Sequence, residues 1–325
     1  MIIGRYLLRR AAFALLLVFV ASSAALLITR LAPTECASGV ALDVEARVAC
    51  DERHQLGLDQ PIVRQYLTWL SRAARLDFGV SFFYSGRSVA DLVRGRALNT
   101  AVLAFSALLF ATAVGIPLGV YTGTRRRGIG VSAVRVLSLL MLSMPPLVAS
   151  LALVLFAART RWLPTGGMVS SGAADMSWLQ WIGDVALHVP VPALALAIPF
   201  TATLERMQSQ AMSEAMHAPF VSAARARGVG PVRAALRHAW PLSLRHILGL
   251  YGFMIGTLFS GSFVVELITG WPGLGRLMYE ALQARDLYLV AGCAATGALF
   301  LALGTFISDL LLAVTDPRTR VGAST

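Results

Sequence analysis

The sequence predicts an all-α, polytopic integral membrane protein with six transmembrane helices. Of its 325 residues, 57% are apolar and 14% are charged, whereas a soluble chain of this length carries about 25% charged residues. Six runs of 18 to 24 residues lack Asp, Glu and Arg, and about 20 helical residues cross the roughly 30 Å hydrocarbon core of a bilayer. The runs are Ala11–Ile28, Ala101–Thr124, Val136–Ala158, Val185–Leu204, Ile247–Val265 and Leu287–Ser308.

The first run admits two interpretations. It could be a signal peptide that follows Arg9 and Arg10, but its 18 residues exceed the usual apolar segment of roughly 7–15 residues. We therefore expect a retained helix. The distribution of Arg among the short loops favours a topology with both termini in the cytoplasm, because short cytoplasmic loops carry an excess of basic residues. The domains predicted are 1–30, 31–98, 99–314 with a cytoplasmic loop at 206–246, and a tail at 315–325.

The basic residues exclude some functions. All 28 are Arg, and against 17 acidic residues they give a net charge of +11. Without Lys, the chain can form neither a phosphate-binding P-loop nor a Schiff base, so any ATP that the protein uses is bound by another chain. The charges lie in loops between long apolar runs, which argues against nucleic-acid binding.

The region between the first two runs, roughly residues 29–98, mixes acidic residues with Arg and is predicted to be an extracytoplasmic loop. Gln65–Ala74 has the pattern of an amphipathic helix. Cys36 and Cys50 lie 14 positions apart in this loop. They form either a disulfide, as an oxidising compartment permits, or two free thiols. Cys293 falls inside the last run and is interpreted as a packing residue.

The loop at 206–246 has a pattern of helix breakers. Pro219 can begin a helix over Phe220–Arg227 that Gly228 ends, and Pro231 can begin a second helix toward Trp240. We call residues 219–241 the two-helix loop. Arg233 and Arg237 share one face of its second helix. From physics alone this face is either solvated or in contact with anionic lipid.

The residues of this loop resemble the EAA loop of bacterial importer permeases, whose pattern is Glu-Ala-Ala-x3-Gly-x9-Ile-x-Leu-Pro. The matching positions are Ala223, Ala224, Gly228 and Pro241, and the chain departs from the pattern at Ser222, His238 and Trp240. Ala224-Arg225-Ala226-Arg227-Gly228 followed by His238-Ala239 is similar to the ARAKG…HAL form of the dipeptide/oligopeptide/nickel permease family.

Further matches to that family follow in order along the chain. They are Arg30-Leu31-Ala32-Pro33, Gly57-Leu58-Asp59-Gln60-Pro61, Asp77-Phe78-Gly79-Val80-Ser81, Glu266 with Trp271-Pro272-Gly273-Leu274-Gly275-Arg276, Arg285-Asp286 and Asp316-Pro317-Arg318-Thr319-Arg320. The chain departs at residues 34–53, a variable insert, and at Ala97–Thr100, which lacks the usual Pro.

The resemblance implies a type I permease subunit of an ATP-binding-cassette (ABC) importer in a bacterial cytoplasmic (inner) membrane. The implied partners are a second similar permease, two ATPase subunits and an extracytoplasmic solute-binding protein. The ATPases would contact Ala223, Ala224, Arg225, Arg227, Gly228, His238 and Pro241. Glu266, Gly273 and Gly275 are candidates for the translocation pathway and its gating. Peptides are the expected substrate, with nickel, glutathione or another small solute as alternatives. No catalytic residue, metal site or cofactor is expected in this chain.

Two other classes remain as alternatives. A self-sufficient carrier or channel would be expected to contain inverted repeats, and the two halves of this chain show no convincing repeat. A membrane hydrolase would need a metal-ligand spacing or a Gly-x-Ser-x-Gly elbow, and neither occurs. Gly115, Gly119 and Gly123 form a small-residue face, which we interpret as a surface for close helix packing rather than as a gate.

Overall fold

The computed structural model describes residues 2–31, 62–73, 77–125 and 127–315, and it confirms the all-α fold class. Within these ranges, the segments outside helices are turns, short loops and one isolated antiparallel bridge between Val80 and Ser88. The helices are α1 (Ile2–Leu31), α2 (Ile62–Ala73), α3 (Val89–Thr124), α4 (Ile129–Leu142), α5 (Pro146–Thr160), α6 (Trp178–His188), α7 (Pro190–Met216), α8 (Pro219–Ala226), α9 (Pro231–Ala234), α10 (Trp240–Leu248), α11 (Leu250–Thr269), α12 (Leu274–Gln283) and α13 (Leu287–Thr315).

All six predicted apolar runs lie on helices, but not every run is one helix. Helices α3, α11 and α13 each contain a segment long and apolar enough to cross a membrane unaided. The described part of α1 contributes a shorter apolar segment, Ala12–Ala25. The third and fourth runs are each divided between two helices, α4 with α5 and α6 with α7, which qualify as spans only when taken as pairs.

Prolines account for both divisions. Helices α4 and α5 meet at an angle of 104°, where Pro145 has an extended backbone (φ −63°, ψ 143°) and Pro146 begins α5. Helices α6 and α7 meet at 44°, and Pro190 begins α7. A proline has no N–H to donate, so each break lacks a helical hydrogen bond. Its ring also disfavours the helical conformation of the preceding residue. Pro145 is extended accordingly, whereas Val189, before Pro190, stays helical (φ −62°, ψ −40°) where the bend is smaller.

The described chain divides into two compact units. Of the described residues, the first contains 2–7, 101–125, 127–271 and 300–315, and the second contains 8–31, 62–73, 77–100 and 272–299. In the first unit, α7 is the central helix and packs against α4, α5, α6, α10 and α11. Its core includes the fully buried side chains of Leu196, Leu204, Met254 and Leu258.

The second unit contains α2, the segment 77–88, α12 and the adjoining parts of α1, α3 and α13. Helix α2 contains residues 65–73 of the amphipathic segment predicted at Gln65–Ala74, and Ala74 lies outside the described residues. Tyr66 on α2 and Ser23 on α1 form a hydrogen bond of 3.0 Å between their hydroxyls. The predicted insert at 34–53, with Cys36 and Cys50, and the C-terminal Asp316–Arg320 lie outside the described residues.

Candidate functional site

The two-helix loop has the structure that its helix-breaking prolines and glycines predict. Ala218 is extended and Pro219 begins α8, one residue before the predicted start. Gly228 follows the helix with φ +88°, a conformation that glycine adopts without steric cost. The Gly228 N–H donates to the Arg225 carbonyl (3.0 Å). Gly230 then leads into Pro231, the first residue of α9.

The hydrogen-bond register of the second helix changes just before Pro241. This change allows the chain to stay helical beyond the proline. Helix α9 passes into a π turn over Ala235–Ala239, and α10 begins at Trp240. A proline cannot donate a backbone hydrogen bond and clashes with the carbonyl four residues earlier. The wider π turn brings the chain to Pro241 in the first turn of α10, where no N–H is needed.

The two-helix loop has a small apolar core of its own. Val221, Ala234 and Ala239 are fully buried against Met212 of α7, with Ala215 and Ala235 in the same cluster. Ala224 of α8 is also buried, with 2% of its surface exposed. Of the predicted coupling residues, Ala224 therefore packs inside the loop. Ala223 and Gly228 are exposed, so these two positions are open to contact from another protein.

The exposed residues of the loop are both apolar and basic. Val232, Leu236 and Trp240 recur every fourth residue on the second helix and are exposed by 70%, 48% and 37%. Nearby, Arg225, Arg227, Arg233 and Arg237 are exposed, as is Pro241, while His238 is half-buried. Within the described part of the chain none of these four arginines forms an ion pair. Such a surface fits an apolar groove with acidic residues at its rim.

The small-residue face of α3 packs directly on the backbone of α7. A Cβ atom built on Gly115, Gly119 or Gly123 would lie 2.8, 2.6 or 2.5 Å from a carbonyl oxygen of α7. These approaches leave no room for any side chain, so the three glycines allow the two helices to touch. The packing interpretation of this face agrees with the geometry.

A buried polar cluster lies where α3, α7 and α10 come together, and no sequence pattern indicated it. The Thr122 hydroxyl donates to Glu205 Oε1 (2.5 Å). Gln208 Nε2 donates to the Ser243 hydroxyl oxygen (2.8 Å). All four side chains are at most 1% exposed. Because Ser243 lies two residues beyond Pro241, this cluster joins the end of the two-helix loop to the long helices.

The three candidate pathway residues fall in different units. Glu266 is fully buried on α11 in the first unit. Gly273 is the N-cap of α12 and Gly275 lies in its first turn, both in the second unit. Their role in a pathway stays a prediction.

In the second unit, two of the predicted motifs meet. Ser81, from Asp77–Ser81, donates its hydroxyl to Asp286 Oδ2 (2.6 Å), and the Phe83 N–H donates to the same oxygen (3.3 Å). The Leu289 N–H donates to Asp286 Oδ1 (3.1 Å). Burial of Asp286, which is 1% exposed, raises the pKa of its carboxyl in spite of these donors.

Further hydrogen bonds within the second unit join the segment 77–88 and the residues of α3 near position 100 to α12 and its start. The Tyr84 hydroxyl donates to Glu280 Oε2 (2.6 Å). Burial and this carboxylate raise the pKa of Tyr84 to about 12. Asn99 Nδ2 donates to the Pro272 carbonyl (2.8 Å), and the Leu274 N–H donates to the Thr100 hydroxyl (2.7 Å). Residues 97–100, which lack the usual proline of the resemblance, thus hold the start of α12 through side chains.

No group of three or more His, Cys, Asp or Glu side chains that could hold a metal ion occurs among the residues that the structure describes. Cys293 is buried on α13, in keeping with its interpretation as a packing residue. The Cys36–Cys50 disulfide stays a prediction, because both residues lie outside the described ranges.

Comparison with known proteins extends these findings. Residues 115–321 match the family described as "Binding-protein-dependent transport system inner membrane component". A protein of Brucella ovis named as a peptide permease is 33% identical over 270 residues, 83% of this chain and 83% of its own length. The oligopeptide transport system permease protein OppB of Mycobacterium tuberculosis is 31% identical over 326 residues, 98% of this chain and 99% of its own.

Among solved structures, a chain of the MetNI methionine ABC transporter in inward-facing conformations is similar to this one. The TM-score is 0.56 at 16% identity, and the match covers 69% of this chain and 96% of that chain. At this identity the likeness concerns the fold.

Proposed function

This chain belongs to the family of binding-protein-dependent transport system inner membrane components, and we propose that it forms half of the peptide pathway of an ABC importer. One observation carries the proposal: the similarity to an oligopeptide permease extends over 98% of this chain and 99% of the relative. The chain is a transport subunit, and ATP hydrolysis takes place in separate subunits. Nickel or another small solute is the alternative substrate.

The two-helix loop is the surface that would receive an ATPase. Its exposed Val232, Leu236 and Trp240 would enter an apolar groove, and Arg225 and Arg227 would pair with acidic residues at the rim. The support for this assignment is that the loop has its own buried core and therefore a defined shape before any partner binds. A preformed surface loses little conformational entropy on docking.

Transport would follow from movement of this loop. When ATP draws two ATPase subunits together, each would displace the loop bound in its groove, and the long helices would change between outward-open and inward-open states. A second, similar permease would supply the other half of the pathway. Glu266, Gly273 and Gly275 are our candidates for residues that line or gate this half.

We further propose that the protein lies in the bacterial inner membrane with both termini in the cytoplasm. The arginines of the two-helix loop support this orientation, because the positive-inside rule assigns basic short loops to the cytoplasm. Residues 31–98 would then face the outside, where a solute-binding protein would dock.

Purification in mild detergent and reconstitution test the proposal. The chain should copurify with a second permease and with P-loop ATPases that crosslink to residues 219–241. In vesicles that hold the complex and its binding protein, labelled oligopeptides should accumulate only when ATP is present. Accumulation of Ni²⁺ but not of peptides would refute the substrate assignment. Solute movement by this chain alone, without ATP, would refute the importer assignment.

A further inference from the structure

Gln208 is placed between the two-helix loop and the long helices. Its Nε2 donates to the Ser243 hydroxyl (2.8 Å), and Ser243 is in the first turn of α10, directly after the loop. The chain is helical from Pro231 to Leu248. Because a helix transmits displacement along its axis, a movement of the loop also moves Ser243.

On its other side, Gln208 packs closely against α3. A Cβ atom on Gly119 would lie 2.6 Å from the Cβ of Gln208. The next residues on the same faces, Thr122 and Glu205, are joined by a hydrogen bond of 2.5 Å. Helices α3 and α7 are therefore held together at this level, and the Gln208–Ser243 hydrogen bond connects that pair to α10.

The hydrogen bonding of Gln208 is incomplete. Its Oε1 is fully buried and accepts no hydrogen bond from the residues that the structure describes. A buried amide oxygen without a donor is destabilising, whereas an apolar side chain of the same length would not carry this penalty. Oε1 therefore adds no hydrogen bond that would favour a glutamine over an apolar side chain of this length.

The chemistry of the pair allows two arrangements. In the structure, the Ser243 hydroxyl accepts from Gln208 and donates to the Trp240 carbonyl (2.9 Å). A serine hydroxyl is both donor and acceptor. If the Gln208 amide turned by half a rotation, Oε1 would accept from the same hydroxyl. The pair can thus be bonded with either end of the amide facing the hydroxyl.

We propose that Gln208 is a positioning residue that transmits movement of the two-helix loop to α3 and α7 through its hydrogen bond with Ser243. The inference rests on the proposed importer function and goes beyond it, since it names the connection inside this chain between ATPase docking and the long helices. Gln208 would touch neither ATP nor solute.

The test uses the complete importer in vesicles and measures peptide uptake per ATP hydrolysed. Gln208→Met keeps the length of the side chain and removes its hydrogen bonds, and Ser243→Ala removes one oxygen. Each change should lower uptake per ATP about tenfold. The double variant should be no worse than either single one, because both remove the same bond. Gln210→Met is the matched control, since Gln210 is exposed on the same helix and bonds only to Glu214 among the described residues (3.2 Å).

A thermal melt separates positioning from stability. Gln208→Met should melt at the wild-type temperature or above it, because the unpaired oxygen is gone, while uptake per ATP falls. Unchanged uptake per ATP in Gln208→Met would overturn the inference. If that variant did not assemble, an unchanged ratio in Ser243→Ala would overturn it and a lowered one would support it. A wild-type complex in which ATP drives no peptide uptake would instead refute the proposed function.

Discussion

Gly228 offers the sharpest test of the two-helix loop as a docking surface. It follows α8 with φ +88°, and no atom of the described chain lies within 4 Å of where its Cβ would be. Gly230 is equally open but has φ −59°, which any residue adopts. A Cβ atom at either position meets no neighbour among the described residues, and only the one at 228 strains the backbone.

The cost of that strain is modest. A left-handed backbone costs a non-glycine residue about 1–2 kcal/mol, against a typical stability of about 5–15 kcal/mol. Gly228→Ala and Gly228→Asp should therefore fold and reach the membrane. Asp adds bulk and negative charge to a surface that we expect to face acidic residues of an ATPase. Gly228→Asp should lower uptake per ATP at least tenfold, whereas Gly228→Ala should show a smaller loss.

The assay compares ATP-dependent peptide uptake, ATP hydrolysis and the amount of copurifying ATPase for Gly228→Asp, Gly228→Ala and Gly230→Ala. The last variant adds a Cβ to the same loop without strain and should resemble wild type. Wild-type uptake by a Gly228→Asp protein present at the normal level would refute the docking assignment. An equal loss in Gly228→Asp and Gly228→Ala would assign the effect to backbone strain instead.

Three further predictions follow from the packing and charges. Gly119→Ala should destabilise the protein by about 1–3 kcal/mol, because its Cβ would lie 2.6 Å from a carbonyl oxygen of α7. The control is Gly95→Ala on the same helix, where the space around the Cβ is open. This control should leave the melting temperature unchanged or raise it. The raised pKa of Asp286 means that its contribution to stability is fully present below the ordinary aspartate pKa and is lost as pH rises through the raised value. Melting curves across this range should accordingly be less pH-dependent in Asp286→Asn, and an unaltered slope would contradict the assignment. Charge reversal by Arg225→Glu with Arg227→Glu should reduce ATPase copurification most strongly at low salt, and binding that is indifferent to these changes would show that the two arginines do not face acidic residues.

Much of the fold followed from local features of the sequence. Uncharged runs of membrane-spanning length identified every long helix, because burying a charge in lipid is costly. Both ends of α8 and the start of α9 followed from Pro219, Gly228 and Pro231, since these residues restrict the backbone whatever surrounds them. The sharp bend between α4 and α5 was less evident, because Pro145 and Pro146 mark a break but not its angle.

The side-chain contacts depended on the tertiary structure. Asp77–Ser81 and Arg285–Asp286 are separate motifs in the sequence, and only the packing of the second unit brings the Ser81 hydroxyl within 2.6 Å of Asp286. Ala223 and Ala224 are adjacent residues of the same type. Ala223 is exposed, whereas Ala224 is buried inside the two-helix loop.

The position of Gln208 in the structure could not be predicted from the sequence. It is one polar residue among several at the end of an apolar run, and composition does not distinguish it from Gln210. The turn of α7 directs Gln208 toward α3 and α10 and Gln210 toward the surface. By itself the sequence determined the membrane helices and the breaks of the two-helix loop, because lipid and proline act on each segment separately. Only the tertiary structure decided which polar groups meet, because a hydrogen bond between distant residues requires the packing of at least two helices.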